Sequence, residues 1–473
     1  MSRFQQLWDI GRACLATVID LVLALEEEVR DLRRQVKELK DRLSLNSSNS
    51  SKPPSTDGLA KQAPKSLRKK TGRKPGGQPG HPGRTLQLVA KPDHIVPHKL
   101  DHCTCGQCQG RSLRHEPVLD YAKRQVFELP QKPLEVTEHQ AEIKRCPISG
   151  RLVTAPFPAD VKAPAQYGPR FKAQMVYFNQ QHFIPFERLT QVCEDLYGQP
   201  LSEATIAAAN QCTYDSLAPF ELALVDLLPQ APLLHCDESG VRVAKKLHWL
   251  HVVSNAEWTF YGIHPKRGVI AMDYFNILPR CKNWIIHDHF KPYFTYSNCL
   301  HALCNEHHLR ELKFLYEEHQ EAWAEELSRF LLDCNERCQR TGELSEKGFK
   351  KVLARYHAIL ARGRRRHPRL QGCGPQSKAA NLLNRLIDFD LSVLAFLLDP
   401  VVPFTNNQGE RDIRMEKVRQ KISGCFRTLH GARVFARNRS YISTCRKQGL
   451  NILDALTDAI LGKPFIPTLA LGP

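Results

Sequence analysis

The chain has 473 residues, in which 67 Lys and Arg outnumber 49 Asp and Glu for a formal net charge of +18. At roughly 150 residues per domain this length predicts about three domains, and a hydrophobic content of 42% is sufficient for buried cores. The most apolar early stretch, residues 14–25, is interrupted by Asp20 and has no small-residue cleavage site, so neither a membrane helix nor a signal peptide is expected. The 16 Cys are expected to be reduced thiols or metal ligands in the cytoplasm. The positive charge favours a polyanionic partner such as nucleic acid.

An apolar repeat occupies the N-terminal segment, residues 1–45. Its steps alternate between three and four residues, at Val22, Leu25, Val29, Leu32, Val36, Leu39 and Leu43. Val at the a positions and Leu at the d positions favour a parallel two-stranded coiled coil. We therefore predict an oligomerisation helix here. The alternative is a single amphipathic helix that lies on its own domain.

A basic linker, residues 46–97, is predicted next. LNSSNSSKPPSTD (45–57) has too few apolar residues for a core. Residues 61–74 contain no acidic residue, and GRKPGGQPGHPG (72–83) follows. A Gly- and Pro-rich basic segment can follow a DNA groove and neutralise phosphates, although a solvated linker has the same composition. The candidate DNA-binding residues are Arg68, Lys69, Lys70, Arg73 and Lys74.

A small Cys-containing module is predicted over residues 98–158. The spacing of Cys105 and Cys108 lets two thiolates bind one Zn²⁺, and Cys146 is the third candidate ligand. Ser149 stands where a fourth thiolate would be needed. The residues that could replace it are Cys103, His102 and His139. Strand-like alternation over 124–144 predicts a zinc-ribbon-like module, and the alternative is a metal-free module with free thiols.

Residues 159–228 are predicted to be helical. One helix covers 186–197, Gly198 begins a turn, and Ser202 is the expected cap of the next helix. This pattern is that of a helix-turn-helix DNA-binding region. Ordinary core packing of two helices is the alternative.

The pattern changes to α/β over residues 229–430. Strands are predicted at 232–237, 248–253, 258–263, 283–288 and 300–305, with a helix at 268–278 and a long helix at 307–338. This order is typical of a ribonuclease-H-like core in the mixed α/β class. Such a core has three strands, then a helix, and then further strands in crossover connections. A helical insertion is expected at about 310–400, and a C-terminal helical region at 431–473 with one helix from about 433 to 461.

Three carboxylates stand out in this core. Asp237 and Asp288 each end a predicted strand, the first and the fourth, which are neighbours in a ribonuclease-H-like sheet. Glu410 follows in the first turns of a helix that Thr405 or Asn406 could cap. The strand order therefore predicts that the three side chains meet.

Such a cluster of carboxylates is suited to the cleavage of a phosphodiester. Two Mg²⁺ or Mn²⁺ ions about 4 Å apart can activate the attacking oxygen and stabilise the leaving oxygen, and these ions prefer carboxylate ligands. Arg414 and Lys417 share a helical face with Glu410 and are candidates for binding DNA phosphates.

Other side chains compete for this role. Glu238 is expected on the strand face opposite Asp237, and Asp273 and Asp412 lie in predicted helices. The region is also rich in His, at positions 287, 289, 301, 307 and 308, so a zinc hydrolase site is an alternative, although no HExxH spacing occurs. Polar packing or DNA contact is the favoured role of these His residues.

The chain as a whole resembles the insertion-sequence 66 group of bacterial DDE transposases. The resemblance is carried by the linker motifs at 45–57 and 72–83, the Cys module, HCDESGVRV (235–243), NWIIHDHFKPY (283–293) and NNQGERDIR (406–414). It implies that Asp237, Asp288 and Glu410 are the catalytic triad, that Mg²⁺ or Mn²⁺ is the cofactor, and that a structural Zn²⁺ is bound by the Cys module.

The resemblance also implies the reaction and the partners. The protein would bind double-stranded DNA at the ends of its element as a homodimer or larger assembly, cut a strand, and join the freed 3′-hydroxyl to target DNA. It would act at the nucleoid in the bacterial cytoplasm, without a membrane partner and with accessory transposition proteins. The alternatives are a catalytically inactive or domesticated DNA-binding protein and a structure-selective nuclease of the same fold.

Overall fold

The computed structural model describes residues 3–46, 49–50, 88–103, 107, 109–127, 134–145, 147–148, 151–342, 344–369 and 376–468. The predicted DNA-binding residues of the linker and the predicted zinc ligands Cys105, Cys108 and Cys146 lie outside this set. The chain divides into two compact units, of which the larger contains residues 1–62, 158–195 and 199–473 and the smaller contains 63–157 and 196–198.

The N-terminal segment is one continuous helix, α1 (Arg3–Ser44). It ends where the Ser- and Asn-rich motif begins, and there Asn49 donates a hydrogen bond to the Ser44 carbonyl (3.0 Å). The predicted heptad seam is exposed, from 45% at Val29 to 86% at Leu43. Asp41, near the end of the helix, pairs with His319 and Lys378. The alternative, in which this apolar face lies on the helix's own domain, therefore does not hold for the seven seam residues. The coiled coil stays a prediction.

The described residues of the smaller unit include a short antiparallel pair, β1 (Ile143–Arg145) and β2 (Leu152–Thr154). Residues 101–103 also lie antiparallel to 111–113 through backbone hydrogen bonds of 2.9 Å. The strand predicted over 124–144 is wrong for residues 124–127 and 134–142, which are described without strand structure. Alternation of side chains produces a strand only where a second segment satisfies the backbone, and here the Gln125 side chain bonds to Val89 instead.

Four helices lie between β2 and the sheet along the chain. They are α2 (Pro169–Val176), α3 (Phe186–Tyr197), α4 (Glu203–Ser216) and α5 (Ala218–Leu227), with a π-helical turn over Tyr177–Gln181 and a 3₁₀ turn over Leu228–Gln230. The predicted bounds of α3 are confirmed, as is the cap of α4, where the Ser202 hydroxyl accepts a hydrogen bond from Thr205 N (3.2 Å). The DNA-binding role of the predicted helix-turn-helix stays a prediction. The absence of Lys and Arg from α4 does not favour it.

A five-stranded mixed sheet forms the centre of the larger unit. Its strands are β3 (Leu233–Val243), β4 (Lys246–Ser254), β5 (Thr259–His264), β6 (Trp284–His287) and β7 (Leu300–Leu303). They lie in the order β5-β4-β3-β6-β7. The first three are antiparallel neighbours, whereas β6 runs parallel to β3 and β7 runs parallel to β6. The predicted pairing of the first and fourth strands is confirmed.

The central strand is longer than predicted. It was expected to end at Asp237, but β3 continues to Val243 because residues 235–243 pair with β4 in unbroken register. Asp237 thus lies within a strand whose first part has a parallel neighbour and whose second part has an antiparallel one.

Helices connect and cover the sheet. They are α6 (Val269–Phe275), α7 (Asn305–His319), α8 (Ala322–Thr341), α9 (Glu346–Arg366), α10 (Lys378–Asp388), α11 (Asp390–Val393), α12 (Asn407–Ser423), α13 (Leu429–Lys447) and α14 (Ile452–Ile460). Short 3₁₀ turns cover Leu278–Arg280, Lys291–Thr295 and Ala395–Leu397. In its described residues, the region predicted as a helical insertion, 310–400, contains the helices α7 to α11.

Two predicted long helices are each broken. The helix expected at 307–338 divides into α7 and α8 because Gln320 adopts a left-handed conformation (φ 53°). The helix expected at 433–461 divides into α13 and α14 at Gly449 (φ 70°), and the Asn451 side chain caps α14. A left-handed residue ends the hydrogen-bond pattern of a helix and changes its direction.

Both faces of the sheet are covered. Leu234 and Cys236 pack against helices α2, α4, α5, α13 and α14, while Leu233 packs against the helices of the insertion and Val241 against α12 and α13. The mixed α/β class is as predicted. None of the helices in the described ranges is long and apolar enough to cross a membrane.

Candidate active site

Asp237 and Asp288 lie side by side at the carboxyl edge of the two central parallel strands. His235 is paired with Ile286 in the parallel register, so Asp237 and Asp288 each follow that pair by two residues. The Asp288 carboxylate accepts a hydrogen bond from Phe290 N (3.1 Å), and His289 is left-handed (φ 70°). This tight turn leads the chain away from the sheet directly after the carboxylate.

The electrostatic setting of Asp237 favours a cation. Burial raises the pKa of the Asp237 carboxyl well above its ordinary value, and the charges of Glu238, Asp288 and Glu410 raise it further. Carboxylates that lie in one partly buried place repel each other, and a bound cation would relieve this repulsion. The donor set therefore fits a hard divalent ion.

Glu410 lies in the first turn of α12, and Asn406 fixes the start of that helix to the sheet. The Asn406 side chain donates to the Cys236 carbonyl (2.8 Å) and contacts Nδ1 of His235 (2.8 Å). Its backbone N donates to Sγ of Cys304 (3.2 Å), and its carbonyl accepts from Glu410 N (3.1 Å). Asn406 occupies the N-cap position of α12, as predicted, but its side chain makes no cap hydrogen bond and instead ties α12 to β3.

Glu410 also has two neighbours that sequence reasoning did not place there. Its Oε1 atom lies 4.0 Å from Sγ of Cys304 and 3.9 Å from Nδ1 of His307. The ligand atoms of these three residues all lie within 4.8 Å of one another, and within the described ranges no other group of three or more His, Cys, Asp and Glu does so. Asp237, Asp288 and Glu410 are thus near one another without forming such a compact group.

Comparison with known families identifies the larger unit. The family model described as Transposase IS66 family matches residues 164–434, more than half of the chain. The chain belongs to the IS66 family of transposases. The matched segment contains all three predicted catalytic carboxylates. A second model, for a family of unknown function (DUF6444), matches residues 3–87. No curated protein matches this transposase.

The competing carboxylates of the transposase have structural partners. Glu238 is buried on the strand face opposite Asp237, pairs with Arg267 (2.9 Å) and accepts a hydrogen bond from the Tyr293 hydroxyl (2.7 Å). Burial, followed by the charge of Asp288, raises the pKa of Glu238 to about 7. Asp273 accepts from the Tyr296 hydroxyl, and Asp412 pairs with Lys447.

The His residues near Asp288 pack with each other and with aromatic rings. Nε2 of His287 lies 3.2 Å from Nδ1 of His301, and the His287 ring stacks on Tyr293 with the centroids 4.5 Å apart. Burial lowers the pKa of His287 well below its ordinary value, so this ring is neutral. The predicted role in polar packing is confirmed for His287 and His301.

Basic side chains lie around this region of the transposase. Arg414 and Lys417 are exposed on α12, and in the described part of the chain neither has an acidic group within 4 Å. A cleft of about 1000 Å³ begins directly after Asp288, where Lys291, Lys378 and Arg385 contribute cations and Phe389 contributes an aromatic ring.

Proposed function

We propose that this transposase cuts DNA at the ends of its element and joins the freed 3′-hydroxyl to target DNA, with Asp237, Asp288 and Glu410 as its catalytic triad. The observation that supports this most directly is the parallel register that places Asp237 and Asp288 each two residues beyond the paired His235 and Ile286. Glu410 of α12 is close enough for its charge to raise the pKa of Asp237. The strand order β5-β4-β3-β6-β7 supports a ribonuclease-H-like core.

Asp237, Asp288 and Glu410 would together hold two Mg²⁺ or Mn²⁺ ions. When bound, such ions activate the attacking oxygen and stabilise the leaving oxygen of a phosphodiester. Asn406 would hold Glu410 at the correct distance from Asp237, because it connects the first turn of α12 to the backbone of β3 beside that carboxylate.

The DNA would be bound by the basic side chains around the triad. Arg414 lies one helical turn beyond Glu410 and Lys417 nearly two, so both can contact backbone phosphates while Glu410 holds its ion. The cleft after Asp288 is lined by further cations. Two of them already have acidic partners, because Arg385 pairs with Glu311 and Lys378 pairs with Asp41. The linker residues Arg68, Lys69, Lys70, Arg73 and Lys74 would add sequence-independent contacts.

Self-association would bring two element ends together. The exposed heptad seam of α1 supports a homodimer, since burial of seven Val and Leu side chains is favourable by about 1.5–3 kcal/mol for each fully buried side chain. A larger assembly and accessory proteins are compatible with this proposal, as is one structural Zn²⁺ in the Cys module.

A cleavage and joining assay tests the triad. Labelled duplexes from the DNA that flanks the gene would be incubated with Mg²⁺ or Mn²⁺ and with wild type, Glu410→Gln, Asp237→Asn or Asp288→Asn. Glu317→Gln, which removes an exposed carboxylate of α7, is the matched control.

We expect the control to cut and join like wild type and each triad variant to lose both activities. Intact cleavage and joining in the triad variants would refute the assignment. Cleavage without joining would favour the nuclease, and binding without cleavage in wild type would favour the inactive or domesticated DNA-binding protein.

A further inference from the structure

Three side chains of different metal-binding types meet at Glu410, which is itself a member of the proposed triad. Cys304 directly follows β7, His307 lies in the first turn of α7, and Glu410 lies in the first turn of α12. The Glu410 Oε1 atom is 4.0 Å from Sγ of Cys304 and 3.9 Å from Nδ1 of His307. Because the three residues come from the ends of three elements, their backbone positions are held by the fold.

The imidazole of His307 has an unused ligand atom at this place. Its Nδ1 atom is buried and has no hydrogen-bond partner among the described residues. A buried polar atom without a partner is unfavourable by about 1–3 kcal/mol. Coordination of a cation by Nδ1 would remove this penalty.

The donor set distinguishes this group from the neighbouring carboxylates. A thiolate, an imidazole and a carboxylate are the three ligand types of protein-bound Zn²⁺, whereas Mg²⁺ prefers oxygen alone. Zinc bonds of about 2.0–2.3 Å place tetrahedral ligand atoms about 3.3–3.8 Å apart. The three atoms here lie within 4.8 Å of one another, so the ligand atoms need to approach by at most about 1.5 Å to reach this spacing.

We propose that Cys304, His307 and Glu410 form a Zn²⁺ site in this transposase, separate from any zinc in the Cys module. Three protein ligands leave the fourth position of a tetrahedral ion open. One consequence rests on the proposed function: with Glu410 in the catalytic triad, zinc at this site would withdraw Glu410 from the catalytic ions. Zinc would thus compete with strand cleavage.

Zinc content tests the site without any need for activity. The full-length protein would be equilibrated with excess Zn²⁺, freed of loosely bound ion and analysed for metal per chain, as wild type, Cys304→Ala, His307→Gln and Cys445→Ala. Cys445 is a fully buried thiol outside the group and serves as the matched control. Zinc in the Cys module contributes equally to all four proteins.

We expect Cys304→Ala and His307→Gln to bind one zinc fewer per chain than wild type and Cys445→Ala. Equal zinc content in all four proteins would overturn the proposal. Should Cys304→Ala fail to fold, His307→Gln carries the test, because the His307 side chain is partly exposed. Substitution with Co²⁺ gives a second readout, since a thiolate ligand produces a charge-transfer band that Cys304→Ala would weaken.

Inhibition tests the competition. In the presence of Mg²⁺, added zinc should inhibit strand cleavage. Half-inhibition of Cys304→Ala should need at least about tenfold more zinc than half-inhibition of Cys445→Ala. Loss of a group that only supports a ligand already weakens a metal site about 10- to 100-fold, and Cys304 is itself a ligand. The same inhibition in both variants would refute competition through Glu410. A wild type that binds the additional zinc but never cuts DNA would contradict the proposed function and leave the site itself supported.

Discussion

Asn406 is predicted to control the distance between Glu410 and Asp237. Its side chain is 2% exposed and bonds at 2.8 Å both to the Cys236 carbonyl and to Nδ1 of His235. Asn406→Ala leaves both groups unpartnered in the interior, at about 1–3 kcal/mol each. The expected loss is about 2–6 kcal/mol in the free energy of unfolding, a large part of the 5–15 kcal/mol that is typical of a domain.

The effect on activity should exceed the effect on stability. Without the Asn406 amide, the first turn of α12 loses its side-chain bonds to β3, and Glu410 is no longer held relative to Asp237. A displacement of about 1 Å in a catalytic group lowers the rate by up to about 10²-fold. We therefore expect Asn406→Ala to be deficient in strand cleavage even at a temperature at which it is fully folded.

Asn438→Ala is the matched control. Asn438 is a fully buried Asn of α13 whose amide donates to the Asn210 carbonyl (3.0 Å), and it has no bond to α12 or β3. Urea unfolding and single-turnover cleavage would be measured for both variants. If Asn406→Ala, when folded, cleaves as fast as Asn438→Ala, then Asn406 only stabilises the fold and the positioning argument is wrong.

Three further predictions concern other parts of the chain. The pKa of Glu238 is raised from 4.5 to about 7 in the fold, so the folded state binds more protons than the unfolded state between these values. Its stability therefore falls as pH rises through this range. Urea unfolding at several pH values should show a fall of about 3 kcal/mol that is absent in Glu238→Gln. Leu32→Lys places a charge in the exposed seam of α1 and should reduce the mass measured by light scattering to that of a monomer, whereas Lys37→Ala, off the seam, should not; a dimeric Leu32→Lys would contradict the coiled coil. Arg414→Ala should weaken DNA binding and reduce the slope of log affinity against log salt by about 1; an unchanged slope in a salt titration would mean that Arg414 contacts no phosphate.

Short-range patterns predicted much of the sheet and of its neighbouring helices. The five strand positions follow from short apolar runs bounded by turn signals, and the bounds of α3 and the cap at Ser202 follow from local helix signals. Asp237 and Asp288 could be placed together from sequence because the strand order makes their strands parallel neighbours. The errors in helix length at Gln320 and Gly449 have a local cause that composition does not specify, a single left-handed residue.

The sequence by itself thus determined the class of the fold, the family and the three candidate carboxylates, since strand alternation, helix caps and short motifs are local properties. Only the tertiary structure decided what surrounds Glu410. Cys304 and Glu410 are separated by 106 positions in the chain, and Asn406 and Cys236 by 170. No periodicity relates such distant residues. Their contacts arise because the end of β7 and the start of α12 pack at the same edge of the sheet, where burial leaves few polar partners.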